Sequence, residues 1–259
     1  MRSLFTAATG MKAQQLRIDN IANNLANVNT TGFKKSRADF EDLYYQKVRT
    51  GGAETAGGTK RNDSVEIGHG VRAANLTRDF EVGGLSQTGR ATDIAVDGKG
   101  FFQVESPEGD TLYTRAGHFG LDDQGNLVTP QGHKLAGGVQ VPEGAFIAVQ
   151  EDGVVVAQLP GETDFTQLGQ IELTRFTNPA GLEGLGAGLF RETQSSGTAS
   201  TGVPGEQGFG RTIGGALENS NVDVADELIA MIMAQRSYEL TSRAISTADE
   251  MLQVTNQLK

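Results

Sequence analysis

Three histidines and two acidic pairs are the side chains in this sequence that could act as metal ligands or as general acids and bases. His69, His118 and His133 each lie in a turn-like setting, and no two of them have the i, i+4 spacing of a helical metal site. The pairs Asp122-Asp123 and Glu151-Asp152 stand close to glycine in hairpin-turn patterns, which is a structural reason for acids there. The chain has no cysteine, which excludes thiolate chemistry. We therefore expect no enzyme: no catalytic residue, no metal site and no cofactor.

Asparagines are concentrated in one short stretch near the N-terminus, at Asn20, Asn23, Asn24, Asn27 and Asn29. Asparagine is a mediocre helix former, and a solvated helix face usually carries Glu and Lys instead. Amide side chains both donate and accept hydrogen bonds, and between packed helices they fix the register. The stretch predicts a helix surrounded by other helices, with Asn20, Asn23, Asn24 and Asn27 making polar contacts between subunits.

The two ends of the chain are predicted to be the long helices. All six prolines fall between residues 107 and 204, and nothing from 216 to 259 is Gly or Pro. Asn221 or Asp223 would cap the second helix. Apolar residues recur every seven positions at both ends, which predicts a coiled coil, with an amphipathic helix packed on the chain's own globular part as the alternative. The predicted seams are Leu4, Met11, Ile18 and Leu25 in the first helix, and Val224, Met231, Tyr238, Ile245 and Leu252 in the second.

The middle of the chain carries short β-rich runs separated by turns, which predicts an antiparallel β domain. The fold class is thus α+β. Two glycine-rich polar stretches, residues 50–59 and 195–205, are expected to be mobile connectors in a free monomer. The predicted strands include 93–96, 101–104, 112–114, 145–149, 154–156 and 170–173.

The charge is unevenly distributed along the chain. The net charge of −10 disfavours nucleic-acid binding, since phosphate contacts need a cationic face. Residues 1–50 carry +4 and residues 218–259 carry −4, so the two ends are complementary in sign. No run is long enough to cross a membrane, and the first ten residues lack the apolar stretch of a cleaved signal peptide. We expect a protein that is either cytoplasmic or exported with its N-terminus intact.

The asparagine stretch also resembles the N-terminal signature of a known family, the bacterial flagellar axial proteins of the rod, hook and hook-associated structures. The match there covers residues 22–30 and Gly32-Phe33-Lys34. Further similarity extends along nearly the whole chain and narrows the resemblance to the distal rod. It is carried by residues 40–43, 84–88, 100–104, 113–117, 192–197 and 220–224.

This resemblance implies a structural subunit that is exported unfolded through the flagellar type III apparatus and stacks helically into a hollow drive shaft. It implies an inner coiled-coil domain from residues 1–45 and 218–259, an extended linking segment from 46 to 70, and an outer β domain from 71 to 217. The implied partners are further copies of the chain, the proximal rod proteins, the hook protein and the P- and L-ring bushing. The implied location is the basal body, in the periplasm and outer-membrane ring region.

Two alternatives stay open on the sequence. One is a proximal rod or hook protein of the same family. The other is a secreted β-domain adhesin, although an adhesin does not need a helix at each end. The linking segment is predicted to order on assembly and to stiffen the shaft, and a flexible linker is the alternative there.

Overall fold

The computed structural model describes residues 2–49, 65–159 and 164–257, except for the side chains of 2, 3, 49, 252 and 255–257. Most of the predicted linking segment, including the glycine-rich stretch 50–59, lies outside these residues.

Both predicted terminal helices are present. Helix α1 spans Arg2–Ala26 and helix α2 spans Val224–Gln257. Asp223 caps α2, because its Oδ1 accepts hydrogen bonds from the backbone N–H groups of Ala225 at 2.8 Å and Asp226 at 3.3 Å. At 1.5 Å per residue, the 34 residues of α2 extend over about 50 Å.

The described residues between the helices form twenty short strands and one 3₁₀ turn at Pro179–Gly181. The first ten strands are β1 Ser36–Asp42, β2 Tyr45–Arg49, β3 Val65–Gly68, β4 Val71–Arg78, β5 Leu85–Gln87, β6 Ile94–Asp97, β7 Phe101–Glu105, β8 Thr111–Thr114, β9 Gly120–Leu121 and β10 Leu127–Val128. The others are β11 Lys134–Leu135, β12 Phe146–Val149, β13 Val154–Gln158, β14 Thr166–Gln170, β15 Leu173–Arg175, β16 Glu183–Gly186, β17 Leu189–Arg191, β18 Ser200–Gly202, β19 Arg211–Gly214 and β20 Ala216–Glu218.

The chain divides into two compact units. The helical unit comprises Met1–Leu25, Ser36–Thr77 and Asp223–Lys259, and the β unit comprises Ala26–Lys35 and Arg78–Val222. In the helical unit, β1 pairs with β4, and β2 pairs antiparallel with β3 in the register Tyr45 to Gly68.

A nine-stranded sheet dominates the β unit, with the path β16-β17-β8-β7-β11-β10-β9 and with β15 and β18 attached through β7. Strand β7 is buried on both faces, because its neighbouring residues Phe101 and Phe102 point to opposite sides of the sheet and both are buried. Phe102 lies in a large aliphatic core with Ile94, Val104 and Phe119. Phe101 lies in a smaller aromatic cluster, whose other members are Tyr113, Phe176, Leu182 and Phe190, with Phe80 packed against it.

The structure differs from the sequence predictions at several boundaries. Helix α1 ends at Ala26, and residues 36–42 and 45–49 are strands, so the predicted helical segment 1–45 is helical only in its first part. The described parts of segment 46–70 contain most of β2 and all of β3 and belong to the helical unit, and the role of the whole segment as an extended link stays a prediction. The predicted strand 170–173 is wrong, because Gln170 ends β14 and Leu173 begins β15 in a different sheet.

The stretch 195–205 is an ordered part of the β unit, which corrects the prediction of a mobile connector. Ser196 is fully buried, and its Oγ donates to the Thr193 carbonyl at 2.8 Å. Strand β18 within the stretch pairs with β15. Glycine-rich composition indicated mobility, but side-chain to backbone hydrogen bonds hold this turn in place.

Candidate assembly surfaces

Several of the residues that could do chemistry form hydrogen bonds with a structural role. Asp122 accepts hydrogen bonds from the Asn126 side chain at 2.8 Å and from backbone N–H groups, and these bonds hold the pKa of its carboxyl below the usual range. Asp152 accepts from the backbone of Val154 at 3.1 Å. His118 Nδ1 lies 3.0 Å from an Asp93 carboxylate oxygen. Within the described part of the chain, no three His, Asp or Glu side chains are grouped to hold a metal ion. Neither of the two helices, over its described residues, is long and apolar enough to cross a membrane.

The two helices lie alongside each other in the helical unit and run antiparallel. A Cβ added to Gly10 would be 3.8 Å from Thr241 Cγ2. Asn24 Nδ2 donates to Glu227 Oε1 at 3.2 Å. The segment from Gly10 to Asn24 thus faces the segment from Thr241 back to Glu227, over a length of about 21 Å.

On α1, all four predicted seam residues lie on the half-buried side of the helix. Leu4, Met11, Ile18 and Leu25 are each partly covered, while Lys12, Asp19 and other polar positions between them are exposed. The most buried residues of this side are Ala13, at 8% exposed, Ile21, at 4%, and Asn24, at 1%. Their role as contacts between subunits stays a prediction.

On α2, only part of the predicted seam is covered within the chain. Met231 and Ile245 are half-buried, and Ala234 between them is 1% exposed. Val224 and Tyr238 are 41% and 39% exposed. Val224 begins its helix, and the antiparallel alignment places it opposite the chain after the last residue of α1, which explains its exposure. The side chain of Leu252 lies outside the described residues.

A second apolar stripe on α2 is exposed. Ile229, Met233, Leu240 and Met251 have 57%, 62%, 66% and 61% of their surface exposed. At 100° per residue these four positions fall within about 40° of one another, and the stripe lies roughly 100° around the helix from Ala234 on the covered side. Helix α2 therefore presents one apolar face to α1 and another to its surroundings. We call this second face the exposed stripe.

Two asparagines of α1, Asn20 and Asn24, bind the strand that follows the helix. Asn20 and Asn24 both donate from Nδ2 to the Ser36 carbonyl, at 2.6 and 2.9 Å, and Asn24 Oδ1 accepts from the Ser36 N–H at 3.0 Å. Ser36 Oγ also donates to Asn20. The sequence did not predict these bonds within the chain, nor the bond of Asn24 to Glu227. Contacts of Asn20 and Asn24 between subunits stay a prediction. Asn23 is exposed and Asn27 half-buried, and their contacts between subunits stay a prediction.

The β unit contains a buried ion cluster that the sequence did not predict. Glu218, fully buried at the end of β20, receives hydrogen bonds from Lys34 Nζ at 2.6 Å and Arg115 Nε at 2.8 Å. The backbone N–H of Gly83 donates to the same carboxylate at 3.0 Å. Lys34 and Arg115 stand in motifs that matched the axial family, but no spacing rule links them to Glu218. Burial alone would raise the pKa of the Glu218 carboxyl; Arg115 and Lys34 outweigh it, so this pKa lies below its usual range.

Two glycines of the same motifs permit close backbone approaches near this cluster. Gly32 has φ +67°, and a Cβ there would lie 2.7 Å from the Ala116 nitrogen. A Cβ on Gly117 would collide with the Ile94 carbonyl oxygen at 1.6 Å. The close backbone approach brings the Gly32-Phe33-Lys34 motif against the segment that carries Arg115. These glycines thus have a packing reason for their place in the motifs.

Three family models match this chain. Residues 4–34 match the flagella basal body rod protein model, residues 95–157 the D1 domain of the flagellar hook proteins FlgE/F/G, and residues 213–258 the C-terminal region of the flagellar basal body rod FlgEFG proteins. Together they cover both helices and the central part of the β unit.

Curated relatives extend the similarity over the full length. The flagellar basal-body rod protein FlgG of Borreliella burgdorferi is 47% identical, with 100% of this chain and 99% of that protein covered. FlgG of Caulobacter vibrioides is 44% identical, with both chains covered completely. The flagellar hook protein FlgE of Treponema pallidum is 45% identical over 50% of this chain and 28% of its own length. The chain belongs to the flagellar rod and hook family FlgE/F/G, and its full-length relatives are FlgG rod proteins. It is a structural subunit of the flagellar basal-body rod, not an enzyme.

Proposed function

We propose that this subunit polymerises helically into the distal rod, the hollow drive shaft that transmits torque to the hook. The observation that carries the proposal is the exposed stripe on α2. A rod must be held together by surfaces that a single subunit leaves open, and four large apolar side chains along one helix face form such a surface. In the polymer, the stripe packs against a helix of a second copy.

The terminal helices form the inner, coiled-coil part of the shaft. Support comes from the antiparallel contact of α1 with α2 and from the seam residues on its covered side. Helix α2 then has two helical neighbours, α1 of its own chain and a helix of the next copy. The β unit, close to the predicted domain 71–217, forms the outer part, and residues 46–70 contribute links between neighbouring copies.

The other proposed partners are the structures that adjoin a distal rod in the flagellum. The subunit contacts the proximal rod proteins at one end and the hook protein at the other, and the P- and L-ring bushing surrounds it. It reaches the periplasm and outer-membrane ring region through the flagellar type III export apparatus.

A hook or proximal rod position is the second candidate. The partial match to the hook protein FlgE favours it, but that match spans only half of this chain, whereas the FlgG matches span all of it. Length and full coverage therefore support the distal rod over the hook.

The test is the position of the subunit in isolated basal bodies. An epitope tag at the Glu108 turn, which is exposed in the β unit, would be labelled with antibody and located by electron microscopy. We expect label on the rod segment next to the hook, in preparations from which the surrounding rings have been removed. Label along the hook, or only at the inner-membrane end of the rod, would overturn the proposal.

A further inference from the structure

A cleft in the β unit has an aromatic floor and a cationic rim. Its volume is about 870 Å³, and its lining includes Phe80, Phe101 and Phe176 of the aromatic cluster. Lys99 and Arg175 are the cations of the lining that do not belong to the buried ion cluster, and Glu81 is its acid. An aromatic floor beside two cations is chemically suited to an apolar or aromatic side chain accompanied by negative charge.

Neither rim cation meets a carboxylate within the part of the chain that the structure describes. Lys99 is exposed and has no ion-pair partner there. Arg175 donates to the carbonyls of Gln207 and Gly208, both at 3.3 Å, and its guanidinium lies 5.2 Å from the Phe209 ring centroid. The rim thus has two cations against one acid, Glu81, and neither cation forms an ion pair within the described residues. An acidic group on a partner would balance the remaining positive charge.

The β unit also carries an exposed pair of aromatic side chains that could fill such a cleft. Phe146 and Phe165 are 75% and 63% exposed. Phe146 pairs with Gln158 in β13, and Phe165 immediately precedes Thr166, the partner of Ala157 on the other side of β13. Both rings therefore lie at one end of the three-stranded sheet, on either side of Gln158. We call this pair the knob.

Acidic residues accompany the knob. Asp164 directly precedes Phe165, and Glu143 lies three residues before Phe146, and both are exposed. The knob thus offers exposed aromatic rings that could stack on the aromatic floor of the cleft, and carboxylates that could pair with its rim cations. Because both rings are exposed in the single chain, its own cleft does not hold them.

We propose that the knob of one subunit inserts into the cleft of a second copy in the rod. The contact joins two different surfaces of the same chain, so each copy offers one cleft and one knob. Such a head-to-tail contact generates an open helical array unless its rotation happens to close. This inference rests on the proposed polymerisation and adds an outer contact to the one made by the helices.

Cross-linking in assembled rods tests the contact. Because the chain has no native cysteine, only the introduced thiols of this subunit can react. Gln167 lies two residues along from Phe165 on the exposed side of β14, and Thr198 lines the cleft and is exposed. Rods of a Gln167→Cys, Thr198→Cys variant would be treated with a short bifunctional maleimide. We expect a ladder of dimers, trimers and higher oligomers, because a head-to-tail contact continues from copy to copy.

The matched control combines Thr198→Cys with Glu108→Cys, which places the second thiol on an exposed turn away from the knob strands. A ladder no stronger than that of the control, in rods of normal length, overturns the knob contact and leaves the proposed function standing. Links that stop at the dimer, or that join the subunit to another protein instead, also overturn it. Failure of the unmodified chain to form rods at all would instead count against the proposed function.

Charge exchange gives an independent readout. Lys99→Glu and Asp164→Lys each place like charges together, and each is expected to lower the ladder yield about fivefold, the size of one exposed charge pair. The combined variant restores opposite charges and is expected to recover the yield. Because both residues are exposed, neither change is expected to unfold the β unit. Equal yields in all the variants, or no recovery in the combined one, would contradict the proposal.

Discussion

Lys34 Nζ lies 2.6 Å from Glu218 Oε1, and the side chains of the two residues are 1% and 0% exposed. Lys34 follows the end of α1, and Glu218 precedes the start of α2. The ion pair therefore joins, inside the β unit, the two segments that lead into the helices. Arg115 completes the cluster from the opposite side of the carboxylate at 2.8 Å.

Glu218→Gln should strongly destabilise the β unit. The substitution leaves Lys34 and Arg115 buried without a counter-charge, and breaking a buried ion pair in this way costs about 3 to 5 kcal/mol of the free energy of unfolding. Urea denaturation followed by circular dichroism measures the loss. Glu206→Gln is the control, since Glu206 is exposed and its side chain makes no ion pair among the described residues. Similar unfolding midpoints for the two variants would show that the cluster contributes little.

The same carboxylate predicts a dependence of stability on pH. The pKa of Glu218 is lower in the folded than in the unfolded chain, so the unfolded state binds more protons in acid. The contribution of Glu218 to the free energy of unfolding is fully present above the ordinary glutamate pKa of about 4.3, and it is lost as the pH falls through the lower pKa of the folded chain. The free energy of unfolding of the wild type should therefore fall more steeply in this acid range than that of Glu218→Gln. Parallel curves for the two proteins would argue against the assignment.

Asn24→Ala should loosen the start of β1. The change removes the amide's bonds to Ser36 and Glu227, and a buried backbone group left without its partner costs about 1 to 3 kcal/mol. Alanine is the better helix former, so the loss cannot come from helix propensity. Hydrogen exchange at the amides of β1 gives the readout, with Gln15→Ala on the exposed side of α1 as control. Unchanged protection of the Ser36 amide in Asn24→Ala would show the network to be dispensable.

Ile18→Asp should prevent rod assembly while leaving the β unit folded. Ile18 lies on the half-buried side of α1, where an unpartnered charge costs several kcal/mol. The β unit has its own core and should keep its unfolding transition. Ile245→Asp on α2 should act alike, and Arg17→Asp at the exposed neighbouring position is the control. Motility on soft agar reports assembly, and a swimming Ile18→Asp strain would refute the seam assignment.

The sequence was sufficient to predict the helices and most of the tested strands, because these depend on local patterns. Proline placement, heptad spacing and the Asp223 cap are all read from neighbouring residues, and the strands 101–104 and 154–156 follow from alternation and turns. The bonds of Asn20 and Asn24 to Ser36 were not predicted, since a pattern of amide side chains does not reveal whether its partners lie in the same chain or in a second subunit. The predicted contacts of these asparagines between subunits stay a prediction.

Long-range pairings were beyond the reach of the sequence. Glu218 meets Arg115 across 103 positions and Lys34 across 184. The exposed stripe was not predicted for another reason. The seven-residue repeat predicts the face of Val224, Met231 and Tyr238, whereas Ile229, Met233 and Leu240 lie on a different face of the same helix. When a helix has two apolar faces, the second face can be recognised only after the structure shows which face packs against the first partner.

In the proposed rod, the exposed stripe on α2 joins one subunit to the next. Met233→Asp tests this contact most directly, because Met233 is 62% exposed in the single chain and a charge there should not change the stability of the monomer. The matched control is Gln235→Asp, exposed on another face of the same helix. The measurement is the length of the rod in electron micrographs of basal bodies from strains that carry each variant as the only copy. We expect full-length rods with Gln235→Asp and no distal rod with Met233→Asp. Full-length rods with Met233→Asp would show that the exposed stripe does not join the subunits.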